Sequence, residues 1–307
     1  MIRLRYAKLA LCEEHFVEYI HKRVRIIIEK ALRHGMPKRI VAAVSGGKDS
    51  MVLLHILEKL SKTLPLKVYA AFIDLGIGDY SDRARKVVED YCNDLGVELI
   101  ILEVRKVLGI SINELSRTVK KPVCSICGLV KRYFLNALGV EMGATIATGH
   151  HLDDIVSYVV KNVLTHLGEE HLKVSYLLPQ AKGASAKVRP LIRISEREVL
   201  AYALLNNIKY FEGACPFAPR KSIDGLIKRV LTEIESEYPG TKLAILSKYE
   251  VPPEEISKAL ESSITCSSCG LISSSNVCAF CRYTQMVFDK AMGLEVRKYI
   301  KELVPKD

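Results

Sequence analysis

Cys124 and Cys127 stand two residues apart in CSICGLVKR, and a third thiol, Cys215, follows far downstream in GACPFAP. Thiolates act as nucleophiles, redox partners and soft metal ligands. A structural zinc site takes four protein ligands, and these residues supply three. Cys92 lies between them in sequence, but it falls inside a helical stretch and reads as a small core residue. Three thiolates fit a 4Fe–4S cluster with one open iron. They also fit a catalytic or persulfide pair with a spectator thiol.

A second group of thiols is self-sufficient. Cys266, Cys269, Cys278 and Cys281 form two Cys-x-x-Cys knuckles eight residues apart, and Gly270 follows the first for its tight turn. Four thiolates at this spacing suit tetrahedral Zn²⁺ in a structural role. Cys12 and His15 make only half of such a site, so no metal is assigned to them.

Oxygen and nitrogen chemistry is concentrated elsewhere. Ser45-Gly46-Gly47-Lys48-Asp49-Ser50 joins a short β-branched run, RIVAAV, to an amphipathic helix. The glycines permit close backbone approach to an anion. The helix start presents free N–H groups to it, and Lys48 and Ser50 add donors. The spacing is not that of a Walker A loop. In ATGHHLDD, Gly149 follows another apolar run. The Asp153–Asp154 pair suits Mg²⁺ or a charged first helical turn.

The elements that must position these residues alternate. Strand-like RIVAAVS, KVYAAFID, VELIILEV and ATIATG are separated by helical patterns, which predicts an α/β fold with a doubly wound parallel sheet. Residues 1–36 read as a mostly helical N-terminal segment, 37–220 as the catalytic domain and 221–262 as a helical extension. Residues 263–307 read as a C-terminal zinc ribbon with a terminal helix. The helix at HLDDIVSYVVKNVLTHLG covers 151–168. Ser195 and Glu198 predict a capping box, and IKYFEGACPFAP begins as a strand.

Lys and Arg outnumber Asp and Glu 45 to 35, which favours a polyanionic partner. No apolar run reaches the ~20 residues of a membrane span, and the apolar stretch before Glu13 and Glu14 is a poor secretory signal. Free Cys-x-x-Cys pairs without an export signal imply a reducing, cytoplasmic setting.

On SGGKDS, ATGHHLDD, CSICGLVKR and ACPFAP, nearly the whole chain resembles the PP-loop tRNA 2-thiouridine synthetases of the TtuA/TtcA group. The resemblance implies an ATP-dependent tRNA uridine 2-sulfurtransferase that releases AMP and pyrophosphate. It places ATP on Ser45 to Ser50, with Phe72 and Ile73 beside adenine and Gly149 near the nucleotide. It makes Cys124, Cys127 and Cys215 the 4Fe–4S ligands, and Lys131 and Asp154 catalytic alongside Cys124 and Cys215. Lys131 falls one helical turn after Cys127, although Lys131 and Arg132 also read as a solvated helix face. The resemblance further implies a thiocarboxylated ubiquitin-like sulfur carrier as partner, a homodimer, and 5-methyluridine 54 as target. Wobble uridine 34 is the alternative target. An inert nucleotide fold serving a zinc-ribbon RNA-binding protein is the alternative outside catalysis.

Overall fold

The computed structural model describes residues 1–165, 174–219 and 221–305. The chain opens with a hairpin of β1 (Ile2–Leu4) and β2 (Leu9–Leu11), and α1 (Glu13–Arg33) follows. Helix therefore starts later than the pattern of residues 1–36 implied. Lys8 takes a left-handed turn at φ 53°, and Glu13 and Glu14 favour a helix N-terminus at that point.

Next come β3 (Arg39–Val44), α2 (Lys48–Ser61), β4 (Lys67–Asp74), α3 (Gly78–Leu95) and β5 (Leu99–Glu103). Two short helices, α4 (Val104–Leu108) and α5 (Ile112–Thr118), lead into the long α6 (Val123–Met142). Then follow β6 (Thr145–Thr148), α7 (Leu152–Leu164), β7 (Leu177–Leu178), β8 (Lys187–Val188) and α8 (Glu196–Leu205). Residues 166–168 of the helix read over 151–168 lie outside the described residues, as does residue 220 at the end of the expected catalytic domain. Ser195 and Glu198 form the expected capping box of α8.

Sheet order is β5-β4-β3-β6-β8-β7, parallel throughout except for the β7 edge. The period-2 alternation of strands divides β3 between two cores. Ile40, Ala42 and Val44 face α1, α2, α7 and α8, while Val41 faces α5 and α6. Cys92 is buried in the first core, where burial pushes its thiol up to about 11. Strand order reverses between β3 and β6, so the loops after these two strands open the crevice where doubly wound sheets bind ligands.

The C-terminal part contains α9 (Ile223–Glu237), α10 (Thr241–Tyr249) and α11 (Pro253–Glu261). The ribbon hairpin of β9 (Ile264–Thr265) and β10 (Ile272–Ser273) comes next, and α12 (Ala279–Phe288) and α13 (Gly293–Leu303) end the chain. Two helices stand where one was expected.

The strand read at IKYFEG does not form. Phe211 instead donates its N–H to Gly46 O at 2.8 Å, so this segment serves the loop after β3 and not a ladder. Among the described residues one helix, α6, has the length and apolarity of a membrane span, with a mean hydropathy of 1.3. Its apolar residues Ile126, Val130, Phe134, Ala137 and Leu138 are nevertheless packed into the second core.

Candidate active site and metal centre

Gly46 and Gly47 build the turn from β3 into α2. Gly46 sits at φ +83°, and a Cβ there would lie 3.2 Å from Ala84 O. Ser50 is buried and spends its hydroxyl on the turn: Oγ donates to Gly47 O at 2.8 Å and accepts Ser45 N–H at 3.1 Å. Lys48 Nζ pairs with Asp49 Oδ1. Gly149 meets this turn from the loop after β6. Its missing Cβ would lie 3.0 Å from both Asp49 C and Ser50 N. The two crevice loops thus touch backbone to backbone, which any side chain at 149 would prevent.

The adjacent carboxylates differ. Asp153 is 4 % exposed and committed to structure. It pairs with buried Lys242 Nζ of α10, and its Oδ2 accepts Glu196 N–H at 2.8 Å. Asp154 is more open. Its Oδ1 accepts from Lys228 Nζ of α9 at 2.5 Å, and its Oδ2 lies 3.5 Å from His151 Nε2. Burial works to raise the Asp154 carboxyl, but His151 and Lys228 outweigh it and hold the group below the ordinary range. Of the Asp153–Asp154 pair, Asp154 is the more exposed, at 27 % against 5 % for the side chains.

His151, 1 % exposed, lies between three acids, with Asp49 Oδ2 at 3.9 Å and Asp153 Oδ2 at 3.7 Å besides Asp154. The sequence reading passed over His151, Lys228 and Lys242. Only His151 had a local signal, its place between a strand and an Asp pair.

Pro122 starts α6, so Cys124 and Cys127 occupy its first turns. Cys124 Sγ lies 3.5 Å from Phe217 O, which sets the Cys215 segment against the pair. Burial pushes the Cys127 thiol up. Lys131 opposes that shift, Cys215 and Cys124 add to it, and Arg132 also opposes it. Lys131 and all three thiols therefore act on one locality. Among the described residues, these three thiols do not gather as closely as the ribbon cysteines do. A cubane cluster holds its thiolates further apart than one ion does, so the donor set fits a cluster better than a mononuclear metal.

Tyr80 stands beside this group, its hydroxyl raised by burial and then by Cys215 and Cys127. Its ring meets that of Phe211 edge-on at 5.4 Å. Ile73 is half-buried at the end of β4. Phe72 is sunk in the first core at 4 % exposure, so it offers a ligand its backbone and not its ring.

The ribbon thiols of Cys266, Cys269, Cys278 and Cys281 are buried and lie within 4.8 Å of one another, with Cys269 and Cys278 Sγ atoms 3.9 Å apart. Tetrahedral ligands at a metal–sulfur distance of about 2.3 Å are separated by about 3.8 Å. Hydrogen bonds from Cys278 and Cys281 hold Cys269 below the ordinary thiol range, and the same bonds push those two donors up. A cation would release this conflict by binding all four as thiolates. Gly293 is required here, since its Cβ would lie 2.5 Å from Cys281 Sγ. Cys12 and His15 are 3.0 Å apart in an exposed pair.

A family model described as a PP-loop domain matches residues 20–216. The tRNA-5-methyluridine(54) 2-sulfurtransferase of Pyrococcus horikoshii is 37 % identical over 293 residues, covering 92 % of this chain and 90 % of that protein. Its namesake from Thermus thermophilus is 36 % identical, covering 99 % of this chain and 93 % of its own length. Among solved structures, the U34-tRNA thiolase NcsA from Methanococcus maripaludis, solved with its 4Fe–4S cluster, matches with a TM-score of 0.75. It covers 93 % of this chain and 92 % of its own, and at 24 % identity that likeness shows the fold.

Proposed function

The chain belongs to the PP-loop tRNA 2-sulfurtransferases, and on that premise we propose that it exchanges the C2 oxygen of 5-methyluridine 54 in tRNA for sulfur. ATP is cleaved to AMP and pyrophosphate. One observation carries the reading. The segment 208–219 reaches the phosphate turn at one end, through Phe211 N–H to Gly46 O at 2.8 Å, and the cysteine pair at the other, through Cys124 Sγ near Phe217 O. An anion-binding turn and a thiol group tied by one segment suit a reaction that activates an oxygen and then delivers sulfur to the same carbon.

In this reading the backbone N–H groups at the start of α2 and the Lys48 ammonium hold the ATP phosphates. The Ser50 hydroxyl keeps the turn in shape, and the backbone of Phe72 and Ile73 borders adenine. Asp154 and Asp49 would hold Mg²⁺ on their carboxylates. The uracil O2 attacks the α-phosphorus and pyrophosphate leaves. The adenylated oxygen is then a good leaving group, and a sulfur nucleophile at C2 expels AMP. The target base must leave its stack to reach the crevice.

Cys124, Cys127 and Cys215 would hold a 4Fe–4S cluster, which when bound supplies an open iron for the incoming sulfur. Lys131, one turn beyond Cys127, places a cation where negative charge gathers on sulfur and oxygen. The four ribbon cysteines would hold structural Zn²⁺. A thiocarboxylated ubiquitin-like carrier as sulfur donor, a homodimer and a cytoplasmic setting complete the proposal.

Mass spectrometry of tRNA nucleosides from cells lacking the gene tests it. Loss of 2-thio-5-methyluridine is the expected result. Loss of a wobble 2-thiouridine would keep the chemistry and move the target to position 34, and intact thionucleosides would refute the reading.

A further inference from the structure

Beside the cysteine helix lies a group of cations without acids. Among the described residues, no ion pair joins Arg132, Lys187 or Arg189 to a carboxylate. Arg132 belongs to α6 and folds back over Gly128, where a Cβ would lie 3.1 Å from Arg132 Nη1. Lys187 opens β8, and Arg189 follows two residues on, toward the same face. Burial pushes Lys187 down, and Arg189 and Arg132 push it further. Arg189 spends one donor on Ser175 O at 2.6 Å.

Arg132 and Lys187 line one cavity of about 240 Å³. Ser273 and Ser274 at the end of the ribbon strand line it too, together with Tyr133 and Phe280. Arg132 is exposed and Lys187 half-buried, so the two like charges meet at the mouth of the cavity, where an anion between them would offset their repulsion. Two cations and two serine hydroxyls in one lining offer donors to the oxygens of a phosphate group. The cavity is also lined by the same helix that carries Cys124 and Cys127, one to two turns along.

We infer that Arg132, Lys187 and the ribbon residues Ser273 and Ser274 seat one backbone phosphate of the tRNA substrate, anchoring the strand next to the base being thiolated. This rests on the tRNA reading above. It gives the ribbon a direct part in holding substrate, through the side of β10 that faces the catalytic helix.

The test is the salt dependence of tRNA binding, measured by fluorescence anisotropy on the full chain. The variants are Arg132→Gln, Lys187→Gln, their double and Lys187→Arg, with ATP titrations alongside. Each Gln variant should weaken tRNA several-fold at constant salt. The double should lower the slope of log affinity against log salt by roughly 0.7–0.9, the release of about one counterion for one phosphate.

Lys187→Arg should keep most of the binding, and ATP affinity should not move. Because Lys187 faces no acid, Lys187→Gln should melt at or above the wild-type temperature. Wild-type affinity and slope in the double would overturn the seat, as would a lowered melting point that made Lys187 a structural cation. Failure of the wild type itself to bind tRNA would overturn the functional reading instead.

Discussion

Asp153 and Asp154 are neighbours in sequence, yet the structure gives them opposite work, and substituting each alone should separate stability from activity. Asp153 and Lys242 are each 4 % exposed and paired with one another. The same carboxylate accepts Glu196 N–H, so it ties α7 to α10 and to the start of α8. Asp153→Asn keeps an acceptor for Glu196 but strands an ammonium in the interior. Breaking a buried pair from one side costs about 3–5 kcal/mol, a large share of a total stability of about 5–15 kcal/mol.

The Asp154–Lys228 pair is more open, with side chains 27 % and 33 % exposed. Asp154→Asn should therefore cost below about 1 kcal/mol while removing a carboxylate that shares His151 with Asp49 of the phosphate turn. Urea unfolding and ATP-dependent thiolation, measured on both variants, should dissociate: Asp153→Asn marginally folded, Asp154→Asn stable and inactive. Adding Lys242→Met to Asp153→Asn removes the stranded charge and should restore most of the loss.

The pH dependence has a definite sign. Burial works to raise the Asp153 carboxyl, but Lys242 and the Glu196 N–H prevail and hold it low. A depressed carboxyl contributes fully above its unfolded value, near 3.9, and loses that contribution as pH falls through the lower folded value. Wild-type stability should drop below about pH 4, and the double variant should drop less. Asp153→Asn within about 1 kcal/mol of wild type, or a double variant no better than the single, would refute the assignment.

Two further outcomes follow from the thiols. Cys215→Ala should abolish thiolation while melting temperature and ATP binding stay at wild-type values; full thiolation in that variant would remove the three-cysteine site from the reaction. Gly293→Ala puts a methyl group 2.5 Å from Cys281 Sγ and 2.6 Å from Cys269 Cβ, so it should lower both bound metal, read by elemental analysis, and the melting temperature. Metal content and melting equal to wild type would show that the thiol nest can shift without cost.

The sheet was legible because its central strands are short apolar runs bounded by glycines and helical patterns. Val41 and Ile146 face one core while Ile40 and Ala147 face the other, which is the signature of strands covered on both sides. What escaped was short or non-local. The last two strands of the sheet, Leu177–Leu178 and Lys187–Val188, are too brief to show alternation. The helices at 104–118 are likewise too short for a full apolar period. IKYFEG has strand composition, but its backbone binds the phosphate turn instead of a ladder.

In the site, SGGKDS and the cysteines announce themselves by spacing. Lys228 and Lys242 do not, because each arrives from a distant helix and means something only once Asp154 and Asp153 are in place. Gly149 was legible as a glycine that must allow close approach, but the partner it approaches in the structure is the Asp49–Ser50 backbone.

Helix α6 explains why a ribbon so remote in sequence belongs to the same machine. Its first turns hold Cys124, Cys127 and Lys131. Two residues after Lys131, Tyr133 stacks on Phe280 of the ribbon at 3.8 Å and donates its hydroxyl hydrogen bond to Gly293 O. Asn136 donates to Gly183 O and accepts from Ser185 N–H, and Gly183 O also accepts from Ile272 N–H of β10. A rise of about 1.5 Å per residue puts the ribbon contacts within about 18 Å of the cysteines along one rigid rod. A tilt of the ribbon end is therefore transmitted to the thiols with little to absorb it. A metal held by the four ribbon thiols around Gly293 would therefore steady the helix that carries Cys124 and Cys127 as well as the ribbon itself.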